Sequence, residues 1–374
     1  MELQLYFFIL ILYKMKFYLL AGEESGDLHG SNLAYEILKK EPSAKIRGFG
    51  GDKMNQVGVK IIKHIYHFSF MGFTQVIKNL YTIKKNLNFC KHDIISFNPD
   101  AIILIDFAGF NMKIARFAKE KGIKVFYYIP PKAWAWNKNR IKLLKKYIDE
   151  LIVIFPFELD YFKKEGLNPH YFGNPISEEI KKKTDIFSIN TNKSVISILP
   201  GSREQEIKRN LPRILSVIPK YPNYQFVIAS TEKMYDLCNK LSQNKNVIIV
   251  KNKTYSVLRI SKLALVTSGT ATLETAMLNI PQVVCYKTDV ITYFLGKILI
   301  KIKWISLVNI IMKKEVVKEL IQNKMTKKNL ISAIDYLLLE NGKNQILKDY
   351  KKLQKILDSN NVSKKISEFI LKSI

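Results

Sequence analysis

SKLALVTSGTATLETAMLNIPQVVCYK, residues 261–287, decides how this chain is read. Its apolar run Leu263 to Val266 stops at Ser268-Gly269-Thr270. A helix-period segment follows with Glu274 one turn in, and Pro281 ends it before a second apolar run, Gln282 to Tyr286. Strand, small-residue turn, helix start and strand form a phosphate-binding arrangement. Small residues let a diphosphate approach the backbone, and the exposed N–H groups and helix dipole favour its negative charge. Ordinary βα connections share this pattern. At the Glu274 position a carboxylate reaches the ribose hydroxyls of a nucleotide.

Strands and helices alternate on either side. Expected strands are Phe17 to Leu20, Lys45 to Phe49, Ala101 to Ile105, Lys124 to Tyr128 and Glu150 to Ile154, with helices at 27–40, 72–97, 110–121 and 137–148. The polar stretch Glu178 to Asn192, with Lys181-Lys182-Lys183, breaks the rhythm and reads as a linker. Strands resume at Ser194 to Leu199, Gln225 to Ala229, Asn246 to Val250, and the two runs of the opening stretch. Short β-branched and aromatic runs bounded by Gly and Pro are those of parallel strands buried on both faces. The expectation is an α/β chain of two doubly wound, Rossmann-like domains, 15–177 and 193–345, joined by a linker at 178–192. The chain is helical by period from Lys327, with 346–374 as a C-terminal helical segment. Two such halves place a ligand cleft between the carboxyl ends of both sheets, the GT-B architecture of glycosyltransferases and their epimerase relatives.

Length and composition agree. At 374 residues the chain can bury two cores, and 47% hydrophobic and 25% charged residues are globular values. Cys90, Cys238 and Cys285 form no CxxC pair, disulfide framework or zinc spacing. The net charge of +28 favours anionic partners, although only seven of the 60 basic residues are Arg. No aromatic-basic RNA motif or helix-turn-helix pattern stands out, so nucleic acid is not an expected partner. The opening MELQLYFFILILYK has an apolar core of only about ten residues, too short to span a bilayer, and no small-residue cleavage site follows. Met15 is the expected start, with 1–14 an extension outside the fold, and no integral membrane segment is expected.

Other segments add chemistry. Gly22, Ser25 and Gly26 lie in the turn AGEESGD, which either admits a ligand or is simply tight, with Asp27 as the N-cap. Another glycine turn is Phe49-Gly50-Gly51-Asp52-Lys53-Met54. Asp106 falls just past a buried strand, where desolvation can raise a carboxylate's pKa towards that of a working general base; a helix-capping role is the alternative. After Pro130-Pro131, Trp134 and Trp136 alternate on a segment read as extended, which puts both indoles on one apolar wall near Arg140. In Leu199-Pro200-Gly201-Ser202-Arg203, Arg203 can clamp phosphate oxygens in bidentate fashion. The stretch VITYFLGKILIKIKW, 290–304, reads equally as an interfacial surface for acidic lipid (Phe294, Lys297, Lys301, Lys303, Trp304) or as core whose lysines snorkel outward. The five histidines show no metal-ligand pattern, and no Walker A loop, nucleophile elbow or metal-binding Asp-x-Asp occurs. Neither a metal nor a cofactor is expected.

Taken in order, AGEESGD, GFGGDKM, MGFTQVI, PDAIILIDFAGFN, PPKAWAWNKNR, FPFE, FGNPI, LPGSREQEI, TSGTATLE, PQVVCYK and SLVNII make the chain resemble the lipid-A-disaccharide synthases from about residue 16 to 322. The resemblance implies a metal-independent, inverting GT-B glycosyltransferase of Gram-negative lipopolysaccharide synthesis. Its substrates would be UDP-2,3-diacylglucosamine and 2,3-diacylglucosamine 1-phosphate (lipid X), and its products a β-1,6-linked disaccharide 1-phosphate and UDP. It implies Asp106 as the base, with Ser202, Arg203, Ser268, Gly269, Thr270, Glu274 and Asn309 on the UDP side. Gly22, Ser25, Gly26, Trp134, Trp136 and Arg140 fall on the acceptor side. Expected partners are the two substrates, an inner-membrane surface with acidic lipids, and a second copy in a homodimer; the expected location is cytoplasmic and peripheral to that membrane. Two departures stand out: Ala108-Gly109 where the family often has Pro-Asp, which removes a second carboxylate, and Val308 for a usual Pro. A peptidoglycan N-acetylglucosaminyltransferase or a UDP-GlcNAc 2-epimerase shares the fold, but an epimerase needs a catalytic histidine and none is close to Ser268 or Arg203 in sequence. A membrane- or nucleic-acid-binding protein with a decayed nucleotide site is the other alternative, disfavoured by intact Asp106, Arg203 and Glu274.

Overall fold

Strand β1, Lys16–Ala21, buries every residue from Phe17 to Ala21. Successive strand side chains point to opposite faces, so burial of all five means that both faces of the sheet are covered. The computed structural model describes residues 14–67, 80–136, 139–182, 187–243, 245–267, 269–289 and 303–374. β1 pairs in parallel with β2 (Lys45–Gly50) on one side and β4 (Ala101–Ile105) on the other. With β3 (Lys60–His64), β5 (Lys124–Tyr128), β6 (Glu150–Val153) and β7 (Pro169–Tyr171), the order is β3-β2-β1-β4-β5-β6-β7. The strand order reverses between β1 and β4. In open parallel sheets ligands bind at the carboxyl ends of strands flanking such a reversal. The turn after β1 and the Asp106 turn after β4 both lie there.

A second parallel sheet runs β10-β9-β8-β11-β12-β13. Its strands are β8 (Ser194–Leu199), β9 (Tyr224–Ser230), β10 (Val247–Lys251), β11 (Ser261–Val266), β12 (Gln282–Tyr286) and β13 (Lys318–Ile321). The reversal now falls between β8 and β11, which brings the segments that follow Leu199 and Val266 to the same end. Thr267 N–H donates to the Leu199 carbonyl (2.9 Å), continuing the ladder to the base of both.

The expected strands form. β3, β7 and β13 were not anticipated, and all three are sheet edges. β7 has three residues and opens on Pro169, while β3 and β13 begin on exposed lysines. Edge strands need no long apolar run, because one side has no neighbour to bury.

The compact units divide between Pro175 and Ile176, and again between Asp358 and Ser359. The expected linker at 178–192 begins instead inside a helix, Pro175–Lys182, whose Ile176, Ser177 and Glu179 are buried. The tail also divides. Helix Glu340–Leu357 belongs to the second unit and Val362–Lys372 to the first, with Asn361 in the left-handed conformation between them (φ 56°). The terminal helix packs on helix Glu24–Lys40, with Lys40 Nζ 2.8 Å from Glu368 Oε1, and Phe369 lies against His170 and Phe172. Among the described residues no helix is long and apolar enough to cross a membrane.

Ile370, on this terminal helix, is fully buried. Ile370→Ala should therefore lower the stability of the first unit by about 2–5 kcal/mol, read by denaturant unfolding. An effect below ~0.5 kcal/mol, the usual range for surface changes, would mean that the tail does not support that unit.

Candidate active site

Asp106 ends β4 in an unusual conformation. Its φ is 49° and that of Phe107 is 47°, so two consecutive residues with side chains occupy left-handed space. Such residues persist only where surrounding structure holds them. Here the Asp106 carbonyl accepts two hydrogen bonds, from Asn111 Nδ2 (2.8 Å) and Tyr127 Oη (2.8 Å), both donors on fully buried residues. Asn111 Nδ2 also reaches the carbonyls of Leu20 and Ile105 (both 3.3 Å), linking β1 to β4 at their carboxyl ends. The Asp106 side chain is half-buried, and loss of water raises its pKa, with the Lys132 ammonium acting in the opposite direction. The result is a carboxylate at the reversal point with enhanced proton affinity. The following helix, Ala108–Glu120, is capped at Phe107 without a side-chain bond, so the alternative of Asp106 as an N-cap is not what forms.

The glycine turn after β1 has a local purpose. A Cβ at Gly22 would lie 2.2 Å from the Phe107 ring, and one at Gly26 would lie 3.2 Å from Ala21 Cβ. Gly22 makes room for the side chain that the left-handed turn projects, and Gly26 lets helix Glu24–Lys40 approach β1 closely. Both are thus explained by packing rather than by ligand approach, while Ser25 is exposed. Asp27 caps a different turn from its own. Its carboxylate accepts from the N–H groups of Gly51 (2.7 Å), Lys53 (3.0 Å) and Met54 (3.1 Å), which fixes the second glycine turn.

Residues Ala133–Trp136 form a helical turn, not the extended segment expected. Helical residues two apart do not share a face, so the alternation argument for an indole wall loses its basis. Trp134 Nε1 donates to Glu158 Oε1 (3.0 Å), and Glu158 Oε2 accepts from the N–H groups of Ile154 (3.2 Å) and Phe155 (3.1 Å). Glu158 is buried, and desolvation pushes its pKa up to about 7 despite these bonds. Its signal was present in FPFE, where a Glu three residues past the helix cap can reach back to the cap N–H. Arg140 is half-buried, and burial lowers its pKa.

In the second unit Gly201 takes φ 100°, and its turn exposes Ser202 and Arg203. Arg203 is the N-cap of helix Glu204–Leu215 and pairs with Glu206 (Nη1 to Oε1, 3.1 Å) while its side chain stays half-exposed. Across the reversal, Gly269 has φ 115° and Thr270 starts helix Thr270–Met277, both exposed; Ser268 lies outside the described residues. Glu274 Oε1 accepts from Tyr255 Oη (2.9 Å). Buried Asn210 exchanges bonds with the Lys287 main chain (N–H to Oδ1, 2.6 Å) and so secures the loop after β12. Neither Tyr255 nor Asn210 had a sequence signal, because each bond joins distant segments.

Asn309 corrects an expectation. It is fully buried: Oδ1 accepts from Val316 and Val317 N–H (2.8 and 2.9 Å), and Nδ2 donates to Val317 O and Glu319 Oε1 (both 2.9 Å). Two donors and two lone pairs are its full capacity. It braces the 306–319 turn from inside and has no group left for a nucleotide. Of the proposed lipid-facing residues, Phe294, Lys297 and Lys301 lie outside the described residues. Lys303 is exposed, with Nζ 4.8 Å from the centre of the Trp304 ring.

Known proteins share both this sequence and this fold. The family model described as lipid-A-disaccharide synthetase matches residues 17–374. This chain belongs to that family. A lipid-A-disaccharide synthase of Geobacter metallireducens is 34% identical over 329 residues, covering 84% of this chain and 86% of the relative. One from Coxiella burnetii is 31% identical over 366 residues, covering 94% and 96%. Among solved structures, UDP-GlcNAc 2-epimerase of Neisseria meningitidis bound to UDP-GlcNAc superposes with TM-score 0.66 at 16% identity, covering 96% of this chain and 100% of that one. Spinosyn rhamnosyltransferase with thymidine diphosphate gives 0.58 at 12% identity, covering 92% and 96%. At such identities these two show the fold alone, which is GT-B.

Since the Asp106 turn depends on two bonds to one carbonyl, Tyr127→Phe should lower the stability of the first unit by roughly 1 kcal/mol, read by denaturant unfolding. Unaltered stability would show that the hydroxyl does not hold the turn.

Proposed function

We propose that the lipid-A-disaccharide synthase reaction runs on Asp106 as its base and on the turn at 202–203 and the helix start at 269–274 as its UDP-sugar site. As a member of the family, the chain is a glycosyltransferase that moves 2,3-diacylglucosamine from UDP to the 6-hydroxyl of lipid X with inversion. The observation that carries the catalytic reading is the half-buried carboxylate at the carboxyl end of β4, with its proton affinity raised and its backbone fixed.

Inversion requires one displacement. Asp106 takes the acceptor hydroxyl proton as that oxygen forms its bond to the anomeric carbon and the bond to UDP breaks. Positive charge grows on the sugar ring and negative charge on the leaving diphosphate. Arg203 supplies a planar cationic donor for the diphosphate, and the N–H groups at Gly269 and Thr270 add fixed dipoles. Ser202, beside Arg203, and Ser268 add hydroxyl donors in this reading. Glu274, oriented by the Tyr255 hydroxyl, accepts from the ribose. Ala108-Gly109 supplies no second acid, and a single base suffices for this chemistry.

The family match also decides against the epimerase and peptidoglycan readings, which share only the fold. Both lipid substrates carry acyl chains, and the chain's net charge of +28 suits an acidic membrane surface. Peripheral docking at the inner membrane through 290–304 is therefore part of the proposal, as is a homodimer.

Asp106→Asn should reduce turnover by about 10²–10⁴-fold while UDP binding by calorimetry stays within about twofold. The reaction is followed by UDP release from UDP-2,3-diacylglucosamine with lipid X; a fully active Asn variant removes the base assignment. For docking, joint Lys297→Glu, Lys301→Glu and Lys303→Glu should cut co-sedimentation with acidic liposomes, each Lys being worth about 1 kcal/mol. Unchanged sedimentation refutes that surface.

A further inference from the structure

Tyr255 is buried, and its Oη lies 2.9 Å from Glu274 Oε1, joining two helices of the second unit across 19 residues. Each helix is fixed independently of that bond. Helix Thr270–Met277, which bears Glu274, has its Thr272 carbonyl held by Gln282 Nε2 (2.8 Å) and its Met277 carbonyl by Gln354 Nε2 (2.9 Å). Tyr255 belongs to helix Thr254–Arg259, in which Tyr255, Ser256, Val257 and Leu258 are buried. Before its start the Asn252 N–H donates to the Ser230 carbonyl at the end of β9 (2.8 Å). Beyond its end the Ser261 hydroxyl donates to the Val257 carbonyl (2.7 Å), and Arg259 Nη2 donates to the Ile180 carbonyl (2.9 Å). The hydroxyl therefore reaches a half-buried carboxylate from a fixed support.

We infer that Tyr255 is a positioning residue that sets nucleotide specificity: by holding the Glu274 carboxylate in one orientation, it makes the site select a ribonucleoside diphosphate over one lacking a ribose hydroxyl. The inference rests on the reading of Glu274 as the ribose acceptor.

The chemistry of the pair agrees. Burial, followed by the Glu274 charge, raises the Tyr255 pKa, so the hydroxyl keeps its proton near neutrality and is the donor. An ionised carboxylate only accepts, at about four lone-pair sites, so it can take the tyrosine hydroxyl and those of a ribose together. A glutamate side chain also loses rotamer freedom when a ligand has to fix it, and a bond already made in the free protein removes that cost from binding. Selection follows from the same restraint. A fixed acceptor gains a bond from a hydroxyl, but facing a deoxy carbon it is left desolvated and without that donor. A carboxylate able to swing turns back to water when the hydroxyl is missing, and discriminates less. The Tyr255 hydroxyl separates these two cases.

The test is calorimetric binding of UDP, 2′-deoxyuridine 5′-diphosphate and 3′-deoxyuridine 5′-diphosphate to the full chain. It compares the unmodified protein with Tyr255→Phe, Glu274→Ala and the double variant Tyr255→Phe/Glu274→Ala. The unmodified protein should bind UDP at least about tenfold more tightly than the weaker of the two deoxy analogues. Tyr255→Phe keeps the buried ring and removes one oxygen. It should weaken UDP about fivefold while that analogue changes by less than about twofold, so that selectivity falls. With the UDP-release assay the same loss should appear in KM for UDP-2,3-diacylglucosamine and not in kcat. Glu274→Ala should abolish the selectivity, and adding Tyr255→Phe should then weaken UDP no further, since the hydroxyl acts only through that carboxylate. Equal weakening of UDP and its deoxy forms by Tyr255→Phe, as a bond that merely fastens two helices would give, overturns the inference, and so does additivity in the double variant. Glu274→Ala separates the two readings. If it leaves the selectivity of the unmodified protein intact, Glu274 is not the ribose acceptor and the inference falls with that reading. If it abolishes selectivity while Tyr255→Phe keeps the parent ratio, only the positioning role falls.

Discussion

The main-chain oxygen of Asp106 receives the Asn111 amide and the Tyr127 hydroxyl, and the carboxyl end of the first sheet is arranged around that pair of bonds. They stabilise two successive left-handed residues, each of which costs on the order of 1 kcal/mol in an unsupported chain. The consequences spread outward. Phe107, thrown to one side by the turn, requires a residue without a side chain at Gly22. The Asn111 amide, stretched to the ends of β1 and β4, locks the neighbouring strands in step. The Asp106 carboxylate is left at the strand ends, partly stripped of water, in a place where a proton acceptor is useful.

Both units follow from the same sheet logic. Parallel strands covered on both faces leave no surface on the sheet for chemistry, so polar function moves to the loops at the carboxyl ends, beside the order reversal. The first unit uses this end to hold a desolvated acid. The second uses it to expose glycine-bearing turns and an arginine suited to an anion. In each, buried amides and carboxylates act as braces: Asn210 for the loop after β12, Asn309 with Glu319 for the 306–319 turn, and Asp27 for the turn after β2. Such groups contribute by satisfying main-chain N–H and C=O groups that loops cannot pair among themselves.

The terminal helix shows how the two units share one chain. It crosses back after Asp358 and covers helix Glu24–Lys40, so the first unit is completed by residues far from it in sequence. A division drawn by composition at 178–192 sees the polar run but not this return. Period alone likewise reads 346–374 as one helical segment.

The strands, their parallel character, the glycine turns and the candidate residues Asp106, Arg203 and Glu274 were all legible in the sequence, because each is marked locally: an apolar run, a small-residue turn, a charged residue just past a strand. What only tertiary structure decided was partnership. Tyr127 reaches Asp106 across 21 residues, Trp134 reaches Glu158 across 24 and Tyr255 reaches Glu274 across 19, and no periodicity records a hydrogen bond over such intervals. For the same reason Asn309 read as a nucleotide contact until its burial and four internal bonds were seen. Local pattern fixes where the backbone turns; which side chains are spent inside, and which remain for a substrate, depends on contacts made only when distant strands come together.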